Sequence, residues 1–383
     1  MATLGFALNF WAWTLLSPLG PLFQQKLELS AFQQALVVAV PVIVGSLGRI
    51  PVGALTDRFG GRVMFPAVSL ATVLTLVLLA AGGYTWLGTL LLCGFLLGIG
   101  GTAFAIGIPL VNAWFPAGRR GLALGIYGVG MGGSAIAALT TVPLVEAVNL
   151  RFPFLLTAAV LVAYAIVTVL VVRDAPGRQV SREPMLRRLA TTMRLPITWQ
   201  ASGVYALTFG GFVAFSVYLP AYLTTAYGLA DADAANRMAG FVLVAVAARP
   251  VGGWLSDRFH PVPVLVAVLG IVGIAAAVQV VEPALLPIGT MTFLTMAAAL
   301  GAGAGATFAL VALLTPGDRV GSVTGVVGAA GGLGGFVPPL LMGVFYGWLQ
   351  SYALGLGLLA VTVLAAAVLV RRMRWESPAS SPA

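Results

Sequence analysis

Two arginines are the residues in this sequence best placed to do chemistry. Arg49 and Arg249 each lie inside a long apolar run, eight residues before an Asp-Arg-Phe triplet, and 200 positions apart. The flanking runs align without a gap: Gly48-Arg49-Ile50-Pro51-Val52-Gly53-Ala54-Leu55-Thr56-Asp57-Arg58-Phe59 returns as Ala248-Arg249-Pro250-Val251-Gly252-Gly253-Trp254-Leu255-Ser256-Asp257-Arg258-Phe259. A guanidinium keeps its proton and presents a planar fork of donors, so its natural partner is a flat oxyanion held through two oxygens at once. On a helix rising about 1.5 Å per residue, each arginine sits ~12 Å deeper than its Asp-Arg turn. That is near the midplane of a hydrocarbon layer about 30 Å thick. A cation at such depth marks a function and faces a cavity. Duplicated, it points to an anion held between two halves of the chain. The bland alternative has each arginine capping broken-helix carbonyls or snorkelling to an interface, and depth and pairing argue against it.

The elements that must carry these arginines are membrane helices. The 383 residues are 60% hydrophobic and only 8% charged, with a mean hydropathy of +1.03. Soluble domains carry about 25% charged residues. Twelve apolar segments are long enough to span, roughly 4–22, 34–55, 63–82, 86–110, 121–143, 153–172, 199–223, 238–256, 263–281, 284–311, 321–346 and 353–370. The expected fold is therefore an all-α polytopic membrane protein of two pseudo-symmetric six-helix halves, 1–172 and 199–383. Between them lies a polar linker, 173–198, that reads as partly a surface helix. The first segment reads as a span and not as a cleavable signal, because no charged region precedes it and its apolar run continues past residue 20.

Basic residues set the expected orientation. With the N-terminus in the cytoplasm, fifteen arginines collect on that side: Arg58, Arg62, Arg119, Arg120, Arg258, Arg319, Arg371, Arg372, Arg374 and six in the linker, including Arg178 and Arg182. The opposite side keeps Lys26, Arg151 and Arg237. Both termini are expected in the cytoplasm, with the protein in the cell (inner) membrane. The net charge of +9 is not a nucleic-acid signal, since no basic stripe with interleaved aromatics occurs. The single Cys93 excludes a disulfide framework and a CxxC site, and the lone His260 cannot hold a metal by itself. The paired glycines Gly100-Gly101 and Gly331-Gly332 precede no Gly-Lys-Ser/Thr, so no phosphate loop is present. No nucleophile and base stand together. Neither an enzyme nor a cofactor or metal is expected.

A second repeat supports the first. Gly121, Gly125, Gly128 and Gly132 match Gly321, Gly325, Gly328 and Gly332 at the same offset, spaced i, i+4, i+7, i+11 on one helical face. Such faces let backbones approach closely in lipid, and the innermost glycines Gly128, Gly132, Gly328 and Gly332 are candidates to line a central cavity.

Gly53-Ala54-Leu55-Thr56-Asp57-Arg58-Phe59-Gly60-Gly61-Arg62 after the second of twelve spans resembles the loop motif of the major facilitator superfamily, echoed at Asp257 and Arg258. Three features look like its nitrate/nitrite porter branch. They are the intramembrane arginines, the run Gly100-Gly101-Thr102-Ala103-Phe104-Ala105 through Trp114-Phe115-Pro116 to Gly125, and Gly328-Ala329-Ala330-Gly331-Gly332-Leu333-Gly334-Gly335-Phe336. The resemblance implies that Arg49 and Arg249 clamp a small planar oxyanion, and that Phe104, Tyr205 and Phe209 sandwich it. It implies that Gly53, Asp57, Arg58, Arg62, Asp257 and Arg258 form gate or helix-cap contacts. The family's Gly-x-Gly-Asn-x-Gly in span five is departed from here: Met131 stands at the asparagine.

The function expected is alternating-access exchange of a small inorganic anion, nitrate or nitrite first, by a monomer whose other partner is the lipid bilayer. All eleven carboxylates fall at loops, linker or span ends, leaving the two arginines alone at the midplane. One alternative is a proton-coupled porter for another anion, such as cyanate or an organic acid. A second is a membrane sensor that kept a transporter fold; it is expected to carry a soluble domain, and only 371–383 follow the last span.

Overall fold

A computed structural model describes residues 1–176, 183–335 and 351–373. Arg178, Arg182, Phe336, Arg374 and the end of the eleventh segment, 336–346, lie outside the described residues. The described residues are helical and include no strand. In chain order they form α1 (Ala2–Trp13), α2 (Gly20–Lys26), α3 (Ala31–Leu47), α4 (Arg49–Phe59), α5 (Gly61–Leu78), α6 (Leu87–Leu97), α7 (Phe104–Trp114), α8 (Arg120–Gly128) and α9 (Gly133–Ala147). Then follow α10 (Phe152–Val171), α11 (Met185–Thr192), α12 (Pro196–Tyr227), α13 (Asp231–Phe259), α14 (Pro261–Gln279), α15 (Thr290–Leu314), α16 (Val320–Gly334) and α17 (Ala353–Arg372).

Among the described residues nine helices are long and apolar enough to cross a membrane, and ten if the bent pair α3–α4 is one span. The first expected span differs from the sequence reading: it breaks into α1 and α2. Pro18 and Pro21 lie at the break, each lacking an N–H and disfavouring helix in the residue before it. The second bends by 40° at Gly48. Pro51 cannot bond back to Leu47, so the helix restarts with Arg49 as its first residue. The fourth span, α6–α7, is interrupted by a 3₁₀ segment, Gly98–Ala103, and the fifth, α8–α9, by another, Val129–Gly132. Both interruptions fall on glycine-rich sequence, where helix propensity is lowest.

The chain forms two compact units. The first comprises Met1–Trp114, Val129–Arg194 and Gly317–Ala329. Its core gathers Trp11, Phe23, Leu76, Leu90, Phe154 and Leu161 from α1, α2, α5, α6 and α10, with Leu15 and Leu16 from the turn between α1 and α2. The amide nitrogen of buried Asn9 donates to the Gly5 carbonyl at 2.8 Å and to Ser69 Oγ at 2.9 Å. The second unit comprises Phe115–Gly128, Leu195–Pro316 and Ala330–Ala383. There α13 packs backbone to backbone on α15, where a Cβ on Gly301 or Gly305 would overlap the carbonyl of Ala245 or Arg249. Each unit thus takes in one helical segment from the other sequence half.

Candidate functional site

In the first unit Arg49 is 1% exposed at the start of α4. Its Nε donates to the Gly101 carbonyl at 3.2 Å and its Nη1 to the Gly328 carbonyl at 2.8 Å. Gly101 lies in the 3₁₀ segment before α7, so the irregular turn and the arginine meet there. The guanidinium carbon stands 5.2 Å from the Phe104 ring centroid, 5.8 Å from Trp13 and 5.9 Å from Phe10. Contacts of this kind with a desolvated cation contribute about 2 kcal/mol. Phe104 is the aromatic expected from the sequence. Phe10 and Trp13 in α1 were not singled out there, because an apolar first span full of aromatics reads as packing.

The second unit repeats this arrangement with different chemistry. Arg249, 3% exposed, donates from Nη1 to the Gly128 carbonyl at 3.0 Å and from Nη2 to the Tyr205 hydroxyl at 3.2 Å. Its guanidinium carbon lies 5.4 Å from the Phe209 ring. Tyr205 and Phe209, one turn apart on α12, stack at 4.9 Å with 3° between their planes. Phe308 of α15 meets Tyr205 edge-on at 4.7 Å. Phe308 is a further site aromatic that the sequence reading passed over, since nothing in the Ala-Gly-rich run before it marks the face it lies on.

Both arginines therefore donate to the same carbonyl of the repeat, Gly328 for Arg49 and Gly128 for Arg249. The glycine faces explain the approach. A Cβ on Gly125 would lie 2.6 Å from the Arg249 carbonyl, and one on Gly325 would overlap the Arg49 carbonyl. At Gly128 and Gly328 an added Cβ would instead press on the arginine side chains, 3.2 Å from Arg249 Cδ and 3.1 Å from Arg49 Cδ. Gly132 is different: a Cβ there meets nothing within 4 Å, whereas Gly332 is buried. Met131, in the 3₁₀ segment, is buried at 5% exposure.

The loop-motif residues lie at the far ends of the same helices. Asp57 accepts from the backbone N–H of Gly321 and of Ser322, each at 2.7 Å, at the start of α16. Asp257 accepts from the N–H of Gly121 and Leu122 at 2.7 and 2.8 Å, at the start of α8. Each carboxylate thus satisfies first-turn donors that have no partner inside their own helix and sits at the positive end of its dipole. Gly53 approaches so near to Gly321 that a Cβ would overlap its carbonyl. Arg58 lies over the Phe59 ring at 5.3 Å, and Arg258 over Trp254 and Phe259 at 5.9 and 5.6 Å. Arg62, exposed, donates from its backbone to Asp174 at 3.3 Å and from Nη2 to the Val169 carbonyl at 3.4 Å. Among the described residues the buried charged side chains are Arg49, Arg249, Asp57 and Arg188. The last of these lies in the linker, which the sequence reads only as polar and partly a surface helix.

The sequence profile of the Major Facilitator Superfamily matches residues 2–277 and 201–383. The chain is 46% identical over 370 residues to a probable nitrate/nitrite transporter, NarK2, of Mycobacterium tuberculosis, covering 96% of this chain and 93% of that one. It is 34% identical over 378 residues to the nitrite extrusion protein of Bacillus subtilis, covering 98% and 94%. Among solved structures the fucose:proton symporter FucP of E. coli, in its outward conformation, superposes with a TM-score of 0.77 at 18% identity over 97% of each chain. The proton:xylose symporter XylE gives 0.75 at 16% identity, over 97% of this chain and 94% of that one. A twelve-segment helical chain with a duplicated Asp-Arg-Phe motif, matched along its whole length, belongs to the major facilitator superfamily, on the branch of these nitrate and nitrite transporters.

Proposed function

We propose that this protein exchanges nitrate and nitrite across the cell (inner) membrane, as a monomer with both termini in the cytoplasm, and that Arg49 and Arg249 bind the same anion. The observation that carries this reading is the matched pair of deeply buried guanidiniums, each beside a glycine carbonyl and aromatic rings. A flat oxyanion fits both features: two of its oxygens accept from one guanidinium fork, and its faces stack against rings. Chloride is a single atom with no pair of oxygens to offer, and linear cyanate has no flat fork. Met131 stands where an asparagine would supply a further polar contact, so selectivity rests on the arginines and the rings. The sequence halves 1–172 and 199–383, with the linker 173–198, are read as the bodies whose rocking alternates access.

The test is counterflow into liposomes bearing the purified protein and loaded with nitrite. Labelled nitrate should enter, and external nitrate or nitrite should compete while chloride and cyanate should not. Preferential counterflow of cyanate or an organic acid sinks the nitrate reading. Uptake by none of these anions removes transport of small anions altogether.

A further inference from the structure

The linker helix α11 carries a cation that is anything but solvated. Arg188 is 2% exposed; its Nη2 lies 3.0 Å from Asp57 Oδ2 and its Nε donates to Ser322 Oγ at 2.7 Å. The Ser322 hydroxyl in turn donates to the same carboxylate oxygen at 2.7 Å. With the two backbone donors of α16, Asp57 thus joins three segments at one point: α4, α16 and the linker. A second pair, Arg319 to Glu183 at 3.6 Å, ties the start of α16 to the linker again. The repeat makes the contrast plain. Asp257 keeps its two backbone donors, but Leu122 stands at the place of Ser322, and a cavity of about 270 Å³ lined by Arg120, Ser256 and His260 borders the carboxylate.

We propose that Arg188 is a gate residue: the linker latches span two to span eleven, and this end of the first unit opens only when Arg188 gives up Asp57. The proposal rests on the alternating-access reading above. A buried ion pair that loses one partner leaves the other charge uncompensated in a dry site. Removing Arg188 therefore destabilises the closed arrangement, in which Asp57 is buried, relative to the open one, in which Asp57 is hydrated. A shift between two carrier states moves the apparent affinities at the two membrane faces in opposite directions. Loss of folded protein moves neither.

The experiment compares wild type, Arg188→Gln and Arg188→Lys in oriented proteoliposomes, measuring nitrate KM at each face. In Arg188→Gln the KM at the face bearing Asp57 should fall and the KM at the other face should rise, by about tenfold each; Arg188→Lys, which keeps the charge, should bring both KM values most of the way back to wild type. Hydrogen exchange at the Gly321 and Ser322 amides, measured without substrate, should quicken in Arg188→Gln. Two KM values that stay put or move together, with only the maximal rate falling and amide exchange unchanged, overturn the latch. If Arg188→Gln is not recovered folded, Ser322→Ala decides. It removes the Nε acceptor together with the hydroxyl that donates to Asp57, leaves the Arg188–Asp57 pair in place, and should shift the KM ratio in the same direction; no shift there overturns the latch too. Faster amide exchange without nitrate transport by any form leaves the latch standing and sinks the substrate reading instead.

Discussion

Arginine at positions 49 and 249 cannot relieve its burial by losing a proton, which separates it from lysine at the same depth. The guanidinium has five donors, and the Gly101 and Gly328 carbonyls take two from Arg49 while the Gly128 carbonyl and Tyr205 take two from Arg249. An ammonium can reach one such partner and an anion, but not the whole set. Arg49→Lys and Arg249→Lys should each keep the charge and lose at least one charge-assisted hydrogen bond, about 1.5–3 kcal/mol. The expected outcome is a nitrate KM raised by roughly 10- to 150-fold with unchanged expression, read by counterflow; transport at the wild-type rate and KM overturns the clamp. Phe308→Ala should also weaken transport, by releasing Tyr205 from its edge contact, and Tyr205→Phe should cost Arg249 its side-chain acceptor. The arginines were legible in the sequence because a lone charge in an apolar run has few explanations. Phe10, Trp13 and Phe308 were not, because an aromatic in an apolar helix is compatible with core packing, and only the fold chooses between the two.

The helices build each site through missing side chains. Both glycine faces spaced i, i+4, i+7 lie on the backbone of the arginine-bearing helix: Gly121 and Gly125 on Gly253 and Arg249, Gly321 and Gly325 on Gly53 and Arg49. Backbones this close leave no room for a methyl group, and overpacking costs about 1–3 kcal/mol per site. Gly53→Val and Gly253→Val should therefore lower the melting temperature in detergent and abolish transport. Gly132→Ala should leave the melting temperature unchanged, because its Cβ meets open space. A destabilised Gly132→Ala alongside an unaffected Gly53→Val contradicts the packing account. The glycine spacing was readable from sequence, but its partner was not: periodicity marks a small face and is silent on what lies against it. The linker shows the same limit. Arg188 belongs to a run of arginines that reads as solvated, and only tertiary contact with Asp57 distinguishes it from Arg187, which is exposed.

At the scale of the whole molecule the question is what moves with the anion. The fifteen-to-three bias in basic residues predicts that the loop at Gly118 faces the cytoplasm and that at Val281 the outside. With Cys93 replaced, Gly118→Cys should resist and Val281→Cys should accept an impermeant thiol reagent in intact cells; the reverse pattern inverts the topology. Coupling follows from the charges. Proton symport needs a group near the substrate that titrates around neutrality, normally a carboxylate or histidine at the midplane. The buried carboxylate among the described residues is Asp57, at the far end of α4 from Arg49, and His260 is exposed at the start of α14. Were one nitrate shared, its two guanidiniums would stand ~8 Å apart, where like charges repel by about 2 kcal/mol at an effective dielectric of ~20. On that shared-anion reading an empty carrier would have to overcome the repulsion to close, and a loaded one would be relieved of it by the anion. Two kcal/mol is about a 30-fold preference, so alternation should proceed mainly with anion bound, which is exchange. Nitrate uptake into nitrite-loaded liposomes should exceed uptake into empty ones by roughly 30-fold and should ignore a pH gradient. Gradient-driven uptake into empty vesicles, at a rate matching that with internal nitrite, sinks exchange and requires a proton path through groups other than these arginines.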